Sequence, residues 1–234
     1  MTVTEHIIAG FLFAAALATI PAAAPAQEAA LLVQQVRAKL DKVNDYEAAG
    51  TMKTDVSFLK VPAAAVKVYF RKPDKLKIKN ETGVSLVPKG SVSISLNNLL
   101  AGKYQVIDGG ADNVSGVAVK IVKLLPLDDN GEVVLSTLYI DVARQLIVKA
   151  KTTTRQNGTN ELEMTYGKYT AWALPDKLVF TFNAQEYKLP KGVTFDYDDG
   201  SAKKKPVTGN QRGKIEISYS SYTINKGVAD AVFK

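Results

Sequence analysis

The chain has 234 residues, 46% of them apolar and 23% charged, and a net charge of +7, the mix of a foldable globular protein with one ordinary domain or at most two small ones. It contains no cysteine, and its single histidine is His6. With His6 inside a stretch expected to be cut away, thiol nucleophiles, Ser-His-Asp triads, cysteine or histidine metal sites, histidine-ligated haem and disulfides are excluded.

Ile7 to Ile20 form an uncharged apolar run, followed by Pro21-Ala22-Ala23-Ala24-Pro25-Ala26-Gln27. A cleavable secretory signal peptide over residues 1–26 is predicted, because the run is short for a bilayer span and Ala24-Pro25-Ala26 gives a small-x-small cleavage pattern. The stretch before the run carries Glu5 and His6 but no Lys or Arg, so an uncleaved N-terminal anchor is the alternative. No later segment is long and apolar enough to be a second span, and no Cys follows the run to carry a lipid. Export does not require disulfides, so their absence agrees with a secreted chain.

Cleavage removes Glu5 and no Lys or Arg, which makes the chain one unit more basic. The surplus draws it toward anionic membrane surfaces, on the order of 1 kcal/mol per Lys or Arg held there, or serves solubility alone. Nucleic acid is not the expected partner. The basic residues are spread singly, and the one tight run, Lys203-Lys204-Lys205, sits in a Gly/Asp/Pro-rich loop without aromatics.

Glu28 to Val43 place Leu32, Val36, Leu40 and Val43 at helical spacing, which predicts one amphipathic helix. From Tyr46 onward the pattern becomes short alternating runs divided by turn signals. The runs are Val66–Phe70, Leu76–Ile78, Val92–Leu96, Val117–Ile121, Leu138–Val142, Leu146–Ala150, Leu162–Tyr166, Leu178–Phe182 and Ile215–Tyr219, implying nine or more strands. Pro73-Asp74, Pro88-Lys89-Gly90, Asp108-Gly109-Gly110, Asp128-Asp129-Asn130-Gly131 and Asn157-Gly158 fall between them as hairpin turns. Asn97 to Gly102 offer an Asn cap, a Leu pair and a Gly stop, the outline of a second, short helix. No repeat or linker divides the chain, so residues 27–234 are read as a single domain.

Nothing alternates strand with helix, so the sheet is antiparallel and the class mainly β with a helical minority (α+β). Its apolar face must be buried. A second sheet would make a sandwich; alternatively the meander curls into an open, incomplete antiparallel barrel covered by the N-terminal helix and a short lid helix. Too few helical residues exist to fill such a barrel, which leaves an apolar cavity suited to a lipid or acyl chain.

Arg37-Ala38-Lys39-Leu40-Asp41-Lys42-Val43 with Tyr46 resembles the opening helix and first strand of LolA, the periplasmic outer-membrane lipoprotein carrier. Val68-Tyr69-Phe70-Arg71-Lys72-Pro73, Pro190-Lys191-Gly192-Val193-Thr194 and the stretch from Tyr219 to Val228 are similar to later segments of LolA-like lipoprotein-sorting proteins, in the same order. The resemblance implies a monomeric periplasmic carrier without catalysis or cofactor. Its partners are acylated lipoproteins or lipids and the inner- and outer-membrane sorting components. In that family an arginine before the proline holds the lid helices closed through their backbone. This chain has Lys72 there, a point-like head in place of a planar fork, so its lid opens more readily; Arg71 has the wrong strand parity to replace it. The segment from Gln211 to Lys234 extends past the simplest members and favours a broader LolA-like sorting or lipid-binding protein.

The candidate cavity residues are Phe70, Leu76, Ile78, Leu138, Ile140, Met164, Tyr166, Phe180 and Phe182, on a face where core and cavity lining look alike. Leu99 and Leu100, with Lys72, are the candidate lid residues. Trp172 is either a gate at the mouth or a structural residue at a strand end. Glu161 and Glu163 are the nearest approach to a catalytic carboxylate pair, but both point to the polar side of their strand, opposite Leu162 and Met164. Asp196-Tyr197-Asp198-Asp199-Gly200 lacks the spacing of a calcium loop and reads as a solvated turn. An RseB-like envelope-stress sensor on the same fold is the main alternative function, although such sensors carry a second domain that this length hardly accommodates. A filled structural sandwich is the third reading.

Overall fold

The computed structural model describes residues 25–56, 59–60, 62–80, 96–156, 158–183 and 212–233. Outside them lie nearly all of the predicted signal peptide, Val92 and Ile94 of one predicted strand, the Pro88-Lys89-Gly90 turn, the Pro190–Thr194 motif, the Asp196–Gly200 turn and the Lys203–Lys205 run.

The first helix, α1 (Pro25–Leu40), begins earlier than Glu28 and ends before Val43. Proline suits its first turn, where an N–H has no partner anyway, while Glu28 at the start and Arg37 and Lys39 at the end oppose the helix dipole. Ala29, Leu32, Val33, Val36 and Leu40 form its buried stripe.

Eleven strands follow among the described residues: β1 (Asp45–Val56), β2 (Leu59–Lys60), β3 (Ala64–Arg71), β4 (Lys75–Asn80), β5 (Tyr104–Val114), β6 (Val117–Pro126), β7 (Val133–Asp141), β8 (Leu146–Thr154), β9 (Gly158–Thr165), β10 (Lys177–Asn183) and β11 (Arg212–Ile224). They make one sheet in the order β4-β3-β1-β11-β10-β9-β8-β7-β6-β5, with β2 appended to β1. Each pairing is antiparallel. Among the described residues β4 and β5 are the two edges and do not pair with each other, so the sheet curls without closing. This overturns the sandwich, since the described strands all belong to one sheet and none forms a second to press against it.

The concave face is apolar because the alternation of each strand is kept: Val66, Val68 and Phe70 on β3, Leu138 and Ile140 on β7, Phe180 and Phe182 on β10, and Ile215 and Ile217 on β11 are all buried. Each such side chain contributes roughly 1.5–3 kcal/mol. α1 packs over this face, mostly on β5 and also on β6, the short helix α2 (Leu96–Leu99) and a 3-10 turn at Thr170–Trp172.

One turn signal acts differently from its sequence reading. Asp108-Gly109-Gly110 lies inside β5, where the register with β6 shifts between Asp108 and Ala111; Gly110 takes φ +86° and its N–H donates to Asp108 Oδ1 at 2.7 Å. These residues make a β-bulge, and the real hairpin is Ser115-Gly116, both at positive φ. A second bulge lies on β11, where Ser220 is the extra residue opposite Ala49 and Gly50 of β1, and a Cβ on Gly50 would stand 2.5 Å from the Ser218 carbonyl oxygen. The β7–β8 register also shifts, so Ile147 faces Ile140 and is buried, and Val142 is exposed beyond the end of β7.

Candidate functional site

At the open end of the concave face, the exit of α1, the strands β1, β3 and β4, and the segment after the 3-10 turn enclose an apolar cavity of about 50 Å³. Leu40 and Val43 close it from the helix side, Phe70, Leu76 and Ile78 from the β3–β4 hairpin, and Met164 and Leu178 from the floor. Trp172, Ala173, Leu174 and Pro175 form the opposite wall.

Among the described residues, three tyrosines, Tyr46, Tyr219 and Tyr222, supply the hydroxyls of the cavity lining. Tyr46 stacks on Phe70 at 5.3 Å between ring centroids, and Tyr222 meets Tyr46 edge-on at 5.4 Å and Tyr169 at 4.8 Å. The Tyr222 hydroxyl donates to the Pro175 carbonyl at 2.7 Å, fixing the wall to β11. Burial pushes all three phenols above their ordinary range, with neighbouring tyrosines adding to the shift of Tyr219 and Tyr222, so these hydroxyls stay neutral, and the described lining carries no charged side chain.

The cavity lies between two unequal apolar clusters. The main one holds α1, Leu99, Leu100 and most of the sheet; the second is only Val43, Phe70 and Leu174, with Tyr46, Leu76 and Tyr222 packed against both. Polar tethers hold the helix end over the cavity. Lys72 Nζ donates to the Asp41 carbonyl at 2.8 Å and to Asp41 Oδ1 at 3.0 Å. Lys39 Nζ donates to the Arg144 carbonyl at 2.7 Å, and Asn225 takes the Asn44 N–H and gives its own to the Lys42 carbonyl.

Of the residues singled out from sequence, Phe70, Leu76, Ile78 and Met164 line this cavity. Leu138, Ile140, Phe180 and Phe182 are buried in the main cluster, away from it. Tyr166 packs beside that cluster and donates to the Ile147 carbonyl at 2.8 Å. Leu99 and Leu100 are buried there too, 8% and 2% exposed, and it is Asn97 of α2 that reaches the cavity. Lys72 sits against the turn that follows α1, and Trp172, 38% exposed, stands at the rim. Arg71 points away from α1 to the outer side, as its parity requires.

Glu161 and Glu163 share one partner, Lys149, at 2.7 and 2.8 Å across the β8–β9 pair. Burial raises the Glu161 pKa, but the Lys149 hydrogen bond and charge outweigh it and hold the carboxyl below its ordinary value. The pair is a cross-strand ion cluster on the convex face. Among the described residues no His, Cys, Asp and Glu grouping could hold a metal, and no helix is long and apolar enough to cross a membrane.

Sequence reasoning missed the tyrosines and the Leu174 wall. Tyr219 continues the Ile215–Ile217 alternation, but Tyr222 falls out of step with it where the β1–β11 register shifts, and only the sheet order, which puts β11 beside β1, brings both to Tyr46.

A curled, unclosed antiparallel sheet with a helix in its hollow and an apolar pocket at one end is a LolA-like fold. The chain is similar to a candidate outer membrane lipoprotein-sorting protein domain from Vibrio parahaemolyticus, with 12% identity and a TM-score of 0.58 over 89% of this chain and 97% of the other. A DUF1329 family protein from Desulfovibrio piger matches over 90% of this chain and 97% of its own at TM-score 0.56 and 12% identity. A LolA superfamily protein from Nitrosomonas europaea matches over 86% and 97% at TM-score 0.52 and 10% identity. At these identities the likeness is one of fold. No protein-family model and no curated protein matches the chain at a significant level.

Proposed function

We propose that this protein binds the acyl chains of lipoproteins or lipids in the apolar cavity and carries them through the periplasm toward the outer membrane, without catalysing a reaction. In this reading residues 1–26 are its signal peptide and residues 27–234 one lipid-binding domain that exchanges cargo with inner- and outer-membrane sorting components. The observation that carries it is the uncharged, aromatic-lined cavity under a tethered helix end, set between a large core and a three-residue cluster. The fold likeness supports it.

About 50 Å³ takes only a few small groups, whereas ligand sites run to ~300–1,000 Å³. The cavity is therefore the closed form, and cargo enters by displacing the Val43–Phe70–Leu174 corner. Native mass spectrometry of the protein from an exporting host, with uptake of a fluorescent fatty acid followed through Trp172, tests this. Co-purified lipid or acylated peptide and a Trp172 spectral shift are expected; a ligand-free mass with no uptake refutes it.

A further inference from the structure

Beside the cavity, on the outer side of the β3–β4 hairpin, two cations stand directly opposite each other: Arg71 pairs with Lys75 in the strand register. Like charges facing across an antiparallel pair repel, so this arrangement is favourable only with an anion between them. Asp230 supplies it. Its Oδ1 accepts from Arg71 Nη2 and, at 3.0 Å, from Lys75 Nζ.

The same segment, Asp230–Phe233, lays the Phe233 ring 5.5 Å from the Arg71 guanidinium and 5.9 Å from the Lys75 ammonium. Arg71 Nη1 also donates to the Val228 carbonyl at 3.0 Å. A carboxylate and an apolar ring thus occupy a two-cation fork, while the Asp230 side chain itself stays 66% exposed. Leu76 lines both the apolar cavity and the surface pocket formed by Asp74, Lys75, Asp230 and Phe233, so the two sites adjoin through one side chain.

We propose that Arg71 and Lys75 form the anionic headgroup subsite for a lipid whose acyl chain enters the cavity past Leu76, and that Asp230 and Phe233 fill it as an internal competitor until cargo arrives. The ligand class is a single- or multi-chain lipid bearing phosphate or carboxylate. This rests on the acyl-binding reading above. Arg71 supplies a planar fork suited to two oxygens and Lys75 a mobile point charge, a combination that accepts either group. Exchange of Asp230 for a ligand anion leaves both cations paired, so displacement costs little electrostatically.

The test uses a chain-labelled fluorescent lysophosphatidic acid, the monoacylglycerol with the same chain, and inorganic phosphate. Asp230→Asn keeps an exposed polar side chain and weakens the competitor; it is expected to tighten lysophosphatidic acid binding roughly five- to tenfold with monoacylglycerol unchanged. Lys75→Gln is expected to abolish the preference of the unmodified protein for the charged lipid. Equal affinities for the two lipids in all three proteins overturn the subsite while leaving the cavity reading intact. Binding of neither lipid refutes the cavity reading instead. Millimolar phosphate is expected to displace the charged lipid only weakly, because its chain holds it in place; phosphate that binds the lipid-free protein tightly and blocks the charged lipid makes this a free-anion site and overturns the lipid assignment.

Discussion

Replacing Lys72 by Met keeps the aliphatic stem and removes the ammonium that ties Asp41, just beyond α1, to the β3–β4 hairpin. A hydrogen bond from a charged donor contributes ~1.5–3 kcal/mol, but Lys72 is 29% and Asp41 55% exposed, so the surface range applies and about 1 kcal/mol is lost. That lowers the opening barrier enough to speed a step about fivefold. Because cargo holds the corner displaced and the tether is made only in the empty, closed form, uptake of a fluorescent fatty acid accelerates about fivefold in stopped-flow mixing, release is unchanged and the equilibrium affinity tightens by the same factor. The melting temperature falls only ~2–4 °C. Lys72→Arg, with a planar fork that can take the Asp41 carbonyl and carboxylate together, slows uptake and leaves release unchanged. Lys67→Met removes a comparable surface charge, the partner of Glu47 at 3.2 Å, and leaves the rates unchanged. An unaltered uptake rate in Lys72→Met, or equal acceleration in Lys67→Met, refutes the tether.

Phe70→Ala removes a ring that is 2% exposed and stacked on Tyr46; it costs ~3–5 kcal/mol, and saturating fatty acid, by filling the enlarged cavity, recovers more melting temperature than in the parent protein. Leu100→Arg puts an unpaired charge into the main cluster and costs several kcal/mol in chemical denaturation; stability near that of the parent would instead make α2 a loose lid. Glu161, whose folded pKa lies below its ordinary 4.5, contributes stability above that pH and loses it as the pH falls through the folded value. Glu161→Gln therefore flattens the acid limb of the stability curve between about pH 4.5 and its end, with the fatty-acid uptake rate unchanged.

The strand periodicity was legible because the sheet is buried on one side only: Val66-Val68-Phe70 and Leu178-Phe180-Phe182 alternate in sequence as they do in space. α1 was legible from its spaced leucines and valines, though not its ends, since Pro25 is tolerated in a first turn and Val43 is buried by the chain beyond the helix. β5 escaped notice because its start sets Val106 and Ile107 side by side without alternation and its bulge glycines resemble a turn. The site was half legible. Phe70, Leu76, Ile78 and Met164 share a face with Leu138 and Phe180, and only the position along the curl decides which of them meets a void. Leu99 and Leu100 looked free because a four-residue helix packs little by itself, but α1 and the sheet bury them.

The closed cavity also sets a chain length for cargo. Opening the corner exposes Val43, Phe70 and Leu174, which are separate from the main cluster, so the rest of the core stays intact. At ~1.5–3 kcal/mol each, their exposure costs on the order of 5–9 kcal/mol, and each buried methylene of an incoming chain returns ~0.8 kcal/mol. About six to eleven methylenes only restore the balance, so net binding begins with longer chains. Across a series of saturated fatty acids followed by Trp172 fluorescence, binding is absent at roughly six to eight carbons and strengthens steeply from about twelve. Measurable affinity for the shortest acids would mean that the pocket is already open to them, and the Val43–Phe70–Leu174 corner would then have no part in admitting cargo.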